Sequence, residues 1–141
     1  MRARTIREVM TTDPVSLPRT ASLLEAARQM RRRHIGGVLV VGDDGALAGV
    51  VTDRDIVVRC VAMGGEAAST SLAEVVSEKV VTIGPDEPVV AAIWLMREHA
   101  LRRLPVVTEG RAIGIVTLGD LVVVRDPASA LASISSFPPN H

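Results

Sequence analysis

A chain of 141 residues has room for one domain or two small intertwined ones, and an apolar share of 48% allows a packed core. Sixteen basic residues balance sixteen acidic ones, which removes any general attraction to nucleic acid or to an anionic membrane. With Trp94, Phe137 and no tyrosine, the core must come from Val, Ile, Leu and Ala, and the single Cys60 excludes an internal disulfide and suits a reducing cytoplasm. Met1 to Met10 is basic but no apolar stretch follows it, so no signal peptide is expected. The longest apolar run, 89–96, is far short of the roughly 20 residues a membrane helix needs.

In chain order, the pattern of the first half returns in the second. Thr5-Ile6-Arg7-Glu8-Val9-Met10 is echoed 66 residues later by Ser71-Leu72-Ala73-Glu74-Val75-Val76. Each copy opens with Thr or Ser followed three residues on by Glu, a capping box that predicts one helical turn. A short strand follows, 15–17 or 81–83. A helix is then expected from near Thr20 or Asp86, with Leu24, Ala27 and Met30, or Val90, Ile93 and Met96, as its core stripe. Strands 37–41 and 48–52, or 104–107 and 112–117, form hairpins around Asp44-Gly45 or Glu109-Gly110. The second turn is one residue shorter, so the offset falls to 65 beyond it. Repeats are thus expected at 5–62 and 71–126, each β-α-β-β-α, joined by a small-residue linker at 63–70. Residues 127–141 are read as a poorly ordered tail or an arm that docks on another subunit. A repeat of about 60 residues has a large surface for its volume, so two copies should pack sheet to sheet as a pseudo-twofold α/β pair.

The two strand-to-helix corners are the candidate sites. They read Gly49-Val50-Val51-Thr52-Asp53-Arg54-Asp55 and Gly114-Ile115-Val116-Thr117-Leu118-Gly119-Asp120. A carboxylate accepts two hydrogen bonds, which suits a vicinal diol. A Thr hydroxyl beside the N–H groups of a helix start suits a phosphate oxygen. Gly49 and Gly114 would let a flat base approach the strand. The same Thr-x-x-Asp spacing also describes a helix cap, and sequence leaves both roles open.

Two tandem units that each close with Gly-hydrophobic-hydrophobic-Thr-x-x-Asp resemble a pair of CBS domains, a Bateman module. GVVTDRD, GIVTLGD and the RRLPVV run at 102–107 carry the resemblance across nearly the whole chain. It implies a regulatory, non-enzymatic homodimer that senses an adenosine ligand (AMP, ADP, ATP or S-adenosylmethionine), needs no obligatory cofactor, and acts on an unidentified protein partner. By position, Asp55 and Asp120 would hold ribose hydroxyls, and Thr52 and Thr117 would contact ribose or phosphate. Thr12 to Val15, including Pro14, and Glu78 to Val81, including Val80, would frame the base from the opposite repeat. Gly36 and Gly37, or Arg102 and Arg103, would line the cleft. Arg54, matched by Gly119, could place a guanidinium in the first cleft or sit solvated. Arginine suits phosphate, so the Asp120 cleft is expected to favour a phosphorylated ligand. A ligand-free scaffold is the rival reading.

Other residues carry less. The 89–96 helix is apolar all round, and Trp94 replaces Arg28 of the first copy, which predicts a subunit interface. Arg31-Arg32-Arg33 reads as favourable charge at a helix C-terminus. His34, His99 and His141 have no ligand spacing with Cys60, so no zinc site is expected. Asp53 and Asp55 do not face one another on a helix, and no catalytic arrangement is visible.

Overall fold

A computed structural model of the chain describes residues 4–77 and 79–125, and they fall into two units that cut across the order of the repeats. One unit joins 4–14 to 81–125; the other holds 15–80. Each unit therefore takes its lead-in segment from the other repeat. The fold is mixed α+β, with a three-stranded sheet in each unit. Glu78 and the tail at 126–141, with Phe137 and His141, lie outside the described residues.

In the unit built on the first repeat, β2 (Ser16–Pro18) runs parallel to β3 (Gly37–Val41), which pairs antiparallel with β4 (Leu47–Thr52). Helix α2 (Leu23–Arg33) makes the crossover between the parallel strands. It starts later than the sequence suggests. Ser22, not Thr20, is the cap, and its side chain accepts from Glu25 N–H at 3.1 Å. The core stripe shifts with it to Leu23, Ala26 and Met30. The stretch read as a linker also has a structural role. The carbonyls of Thr70 and Ala67 accept from the first N–H groups of α2, Leu23 at 2.8 Å and Leu24 at 3.0 Å. After β4, α3 (Asp53–Ile56) widens into a π-helical turn, Val57–Val61, closed by Ala62 N–H donating to Val57 O at 2.8 Å. Cys60 is buried there, four residues beyond the buried Ile56. Helix α4 (Leu72–Val75) completes this unit. Glu74 accepts from Ser71 N–H at 2.7 Å, as its capping box predicts.

The other unit orders its strands β1 (Thr11–Thr12), β6 (Arg111–Thr117), β5 (Arg103–Thr108). It begins with α1 (Ile6–Val9), where the expected capping box is reduced to a side-chain contact between Thr5 and Glu8 at 3.3 Å. The strand expected at 81–83 shrinks to one parallel bridge, Ile83 to Val106. Gly84 has no side chain to pack and Pro85 no N–H to donate, so the ladder stops. Helix α5 (Val89–His99) follows Pro88 rather than Asp86, and it buries Val89, Ala92 and Met96. Val90 and Trp94 stay exposed, at 59% and 60%. Glu109 and Gly110, with φ of 51° and 79°, form the two-residue hairpin turn before β6. Helix α6 (Leu118–Arg125) ends the described chain.

Ala100 closes α5 in the left-handed region, φ 53°, where a Cβ is strained. Ala100→Gly is expected to raise the melting temperature by about 2–4 °C, for a gain of about 1 kcal/mol, in a thermal denaturation scan.

Candidate functional site

Each corner is where a half-buried strand hands over to a helix. At the first, Thr52 ends β4 and caps α3. Asp55 N–H donates to Thr52 Oγ1 at 3.1 Å, and Thr52 N–H donates to Asp55 Oδ2 at 2.8 Å. The second corner repeats this. Asp120 N–H donates to Thr117 Oγ1 at 3.2 Å, and Thr117 N–H donates to Asp120 Oδ2 at 2.8 Å. Of the two roles the spacing allows, capping is therefore present in both copies. The cap occupies one oxygen of each carboxylate. Asp55 Oδ1 lies 3.9 Å from Arg59 Nε, whereas the second oxygen of Asp120 meets no partner among the described residues. Both Asp side chains are half-buried. Each carboxylate is thus fixed in orientation by its own helix start and keeps an oxygen beyond the cap.

The strand opposite each corner is set by register. Gly37 faces Thr52 across β3 and β4, and Arg103 faces Thr117 across β5 and β6. The carbonyl of Gly36 accepts from Asp53 N–H at 2.9 Å, and that of Arg102 accepts from Leu118 N–H at 2.8 Å. Gly36 and Arg102 are thus bound to the helix starts themselves. The first corner has glycines where the second has Arg102, which is exposed, and the half-buried Arg103. Arg54 is exposed and Gly119 half-buried, each in the first turn beyond its Thr.

The remaining predicted residues divide between the units. Thr12 pairs with Gly114 on β6, the strand that leads to Thr117, and Pro14 follows in the same unit. Val80 belongs to the unit of Asp55. Val15 and Val81 are packing residues. Each lies against the core of its own unit, and the Val15 carbonyl accepts from Leu39 N–H at 2.9 Å.

The corner glycines have a different role from the one expected. A Cβ on Gly49 would stand 2.3 Å from Val76 Cγ2 and 2.6 Å from the Ser77 carbonyl oxygen. On Gly114 it would stand 2.7 Å from Met10 Sδ and 2.8 Å from the Thr11 carbonyl oxygen. The space a ligand base was expected to use beside these residues is filled by a lead-in segment of the protein. Sequence reasoning also missed Arg59. It donates through Nη1 to the Val75 carbonyl at 3.0 Å, and its position four residues after Asp55 on one helix was the available signal.

A groove of about 570 Å³ lies away from these residues, beside α5, lined by Ile83, Val90, Ala91, Trp94 and Leu95 among others. It is apolar and contains neither Thr117 nor Asp120. No helix of the described residues is long and apolar enough to cross a membrane.

The CBS-domain family model matches residues 6–61 and 72–126. The CBS domain-containing protein YhcV of Bacillus subtilis is 37% identical over 134 residues, covering 92% of this chain and 94% of that protein. Among solved structures, Hypoxic Response Protein I with two coordinated zinc ions is 32% identical, with a TM-score of 0.78 over 84% of this chain and 97% of that one. The CBS domain pair of protein MJ0100, in complex with 5′-methylthioadenosine and S-adenosyl-L-methionine, is 25% identical, with a TM-score of 0.79 over 86% of this chain and 99% of that one.

Proposed function

Because this chain belongs to the CBS-domain family and carries two copies of the domain, we propose that it is a sensor of an adenosine-containing ligand, working as a homodimer in the cytoplasm on a protein partner. CBS-domain pairs are regulatory ligand-binding modules, and a related pair holds two adenosyl compounds. The observation that carries the reading is the duplicated corner, in which Asp55 and Asp120 are each oriented by a Thr backbone N–H and keep an oxygen for a ribose hydroxyl. Thr52 and Thr117 share their hydroxyls with the ligand. In the unit of Asp120, Thr12 and Pro14 frame the base, backed by Val81 from the core; in the unit of Asp55, Val80 does so, backed by Val15. Arg102 and Arg103 give the second corner its preference for a phosphorylated ligand, while Gly36, Arg54 and Gly119 shape the approach. Ligand acts by binding one arrangement of the module better than another.

The test is a thermal-shift and calorimetry panel of AMP, ADP, ATP, NAD and S-adenosylmethionine. A true ligand at a hundred times its Kd adds about 2.7 kcal/mol and raises the melting temperature by roughly 5–10 °C. Silence across the whole panel would leave a structural scaffold as the better reading.

The apolar, exposed face of α5 supports the homodimer. Trp94 and Val90 present a large apolar area left uncovered by the described residues of their own unit, beside a groove of the same character. Trp94→Ala is expected to shift the protein towards monomer in sedimentation at low concentration. An unchanged profile would move the interface elsewhere.

A further inference from the structure

We infer that Arg59 is a positioning residue that ties the first corner to the lead-in segment of the second repeat, so that the two corners are not equivalent sensors. The inference rests on the ligand reading of Asp55 given above, and it adds a link between that site and residues 75–77.

The geometry lies within one unit. Arg59 stands one turn beyond Asp55 on the same helical face, with Nε 3.9 Å from Asp55 Oδ1. Its Nη1 donates at 3.0 Å to the carbonyl of Val75, the last residue of α4. Carbonyls at a helix end have no partner inside the helix, so this one is open to a side-chain donor. The guanidinium is a planar fork and serves both groups at once, which a lysine ammonium at the end of a flexible stem does not reproduce. Directly after Val75, residues Val76 and Ser77 cross the face of Gly49, and Ser77 bridges to Val50 on β4. Arg59 thus holds the carboxylate that would grip the ligand and the end of the helix that feeds this crossing.

Among the described residues, the second corner has no such tie. The residue 65 positions on is Val124, which has no donor in its side chain. A ligand hydroxyl on Asp55 therefore acts on a charge shared with Arg59, and through it on residues 75–77. A ligand on Asp120 lacks that route. By linkage the effect is reciprocal, so fixing residues 75–77 favours ligand at the first corner.

The experiment compares the full chain with Arg59→Gln and Arg59→Lys by NMR. Without ligand, amide exchange is read at Val76, whose N–H donates to Leu72 O, and at Thr52, with Met10 and Thr117 as controls. Arg59→Gln is expected to speed exchange at Val76 and Thr52 by about 5- to 10-fold, the size of one ordinary hydrogen bond lost from a half-exposed side chain, and to leave the controls unchanged. Arg59→Lys restores Thr52 but not Val76. Unchanged Val76 exchange in Arg59→Gln, or equal changes at the controls, overturns the inference. AMP is then titrated and followed at the Thr52 and Thr117 amides. A loss of affinity of about tenfold at Thr52 alone supports the tie, and equal losses at both corners contradict it. If AMP moves neither amide in the unaltered protein, the ligand reading fails and the exchange experiment alone decides the role of Arg59.

Discussion

Gly49→Ala is expected to lower the melting temperature by about 3–12 °C, corresponding to about 1–3 kcal/mol of overpacking. The added methyl would meet Val76 Cγ2 at 2.3 Å and the Ser77 carbonyl oxygen at 2.6 Å. The valine can change rotamer, but the carbonyl is backbone and must move away from β4, breaking the bridge between Ser77 and Val50. Gly114→Ala should behave similarly, since the Thr11 carbonyl oxygen at 2.8 Å is also backbone and belongs to the β1–β6 pairing. Gly84→Ala is the control. Its nearest neighbour is the flexible Glu87 side chain at 3.7 Å, so its melting temperature should stay within about 2 °C of the original, as surface substitutions usually do. If Gly49→Ala melted like the control, the close crossing of the lead-in segment would be wrong.

Asp120→Asn is expected to weaken binding at the second corner by about 10- to 150-fold, the equivalent of losing about 1.5–3 kcal/mol of charge-assisted hydrogen bonding. The amide oxygen of asparagine still accepts from Thr117 N–H, so the cap survives and the fold is kept. What is lost is the charge and the second acceptor. Asp120→Ala removes the cap as well and should cost about 1 kcal/mol of stability. Comparing the two by calorimetry and thermal denaturation separates the two functions that sequence spacing left superimposed on this residue. A ligand bound by Asp120→Asn as tightly as by the unaltered protein would reduce Asp120 to a cap.

Much of this was legible in the residues, for identifiable reasons. The duplicated pattern of Gly, strand, Thr and Asp fixed the corners because a helix cap and a strand end are local devices. The β-branched runs at 37–41 and 112–117 became β3 and most of β6 for the same reason. What stayed illegible depends on contacts distant in sequence. Thr20 and Asp86 are good caps by type, yet Ser22 and Pro88 hold those positions. Leu23 N–H instead meets the carbonyl of Thr70, and Val89 N–H that of Arg4. That tertiary choice moved the first two positions of each core stripe back by one residue, kept Met30 and Met96, and left Val90 in solvent. The role of Gly49 was hidden likewise, because nothing local announces that residues 76 and 77 cross it.

If the corner carboxylates hold neighbouring hydroxyls of a ribose, AMP binds better than an analogue that lacks them. Calorimetric titration of the unaltered protein with AMP and with its 2′,3′-dideoxy analogue tests this directly. AMP is expected to bind, and the analogue to bind at least about tenfold more weakly, since a carboxylate left without its donors forfeits more than about one kcal/mol. Equal affinity for the two would contradict it.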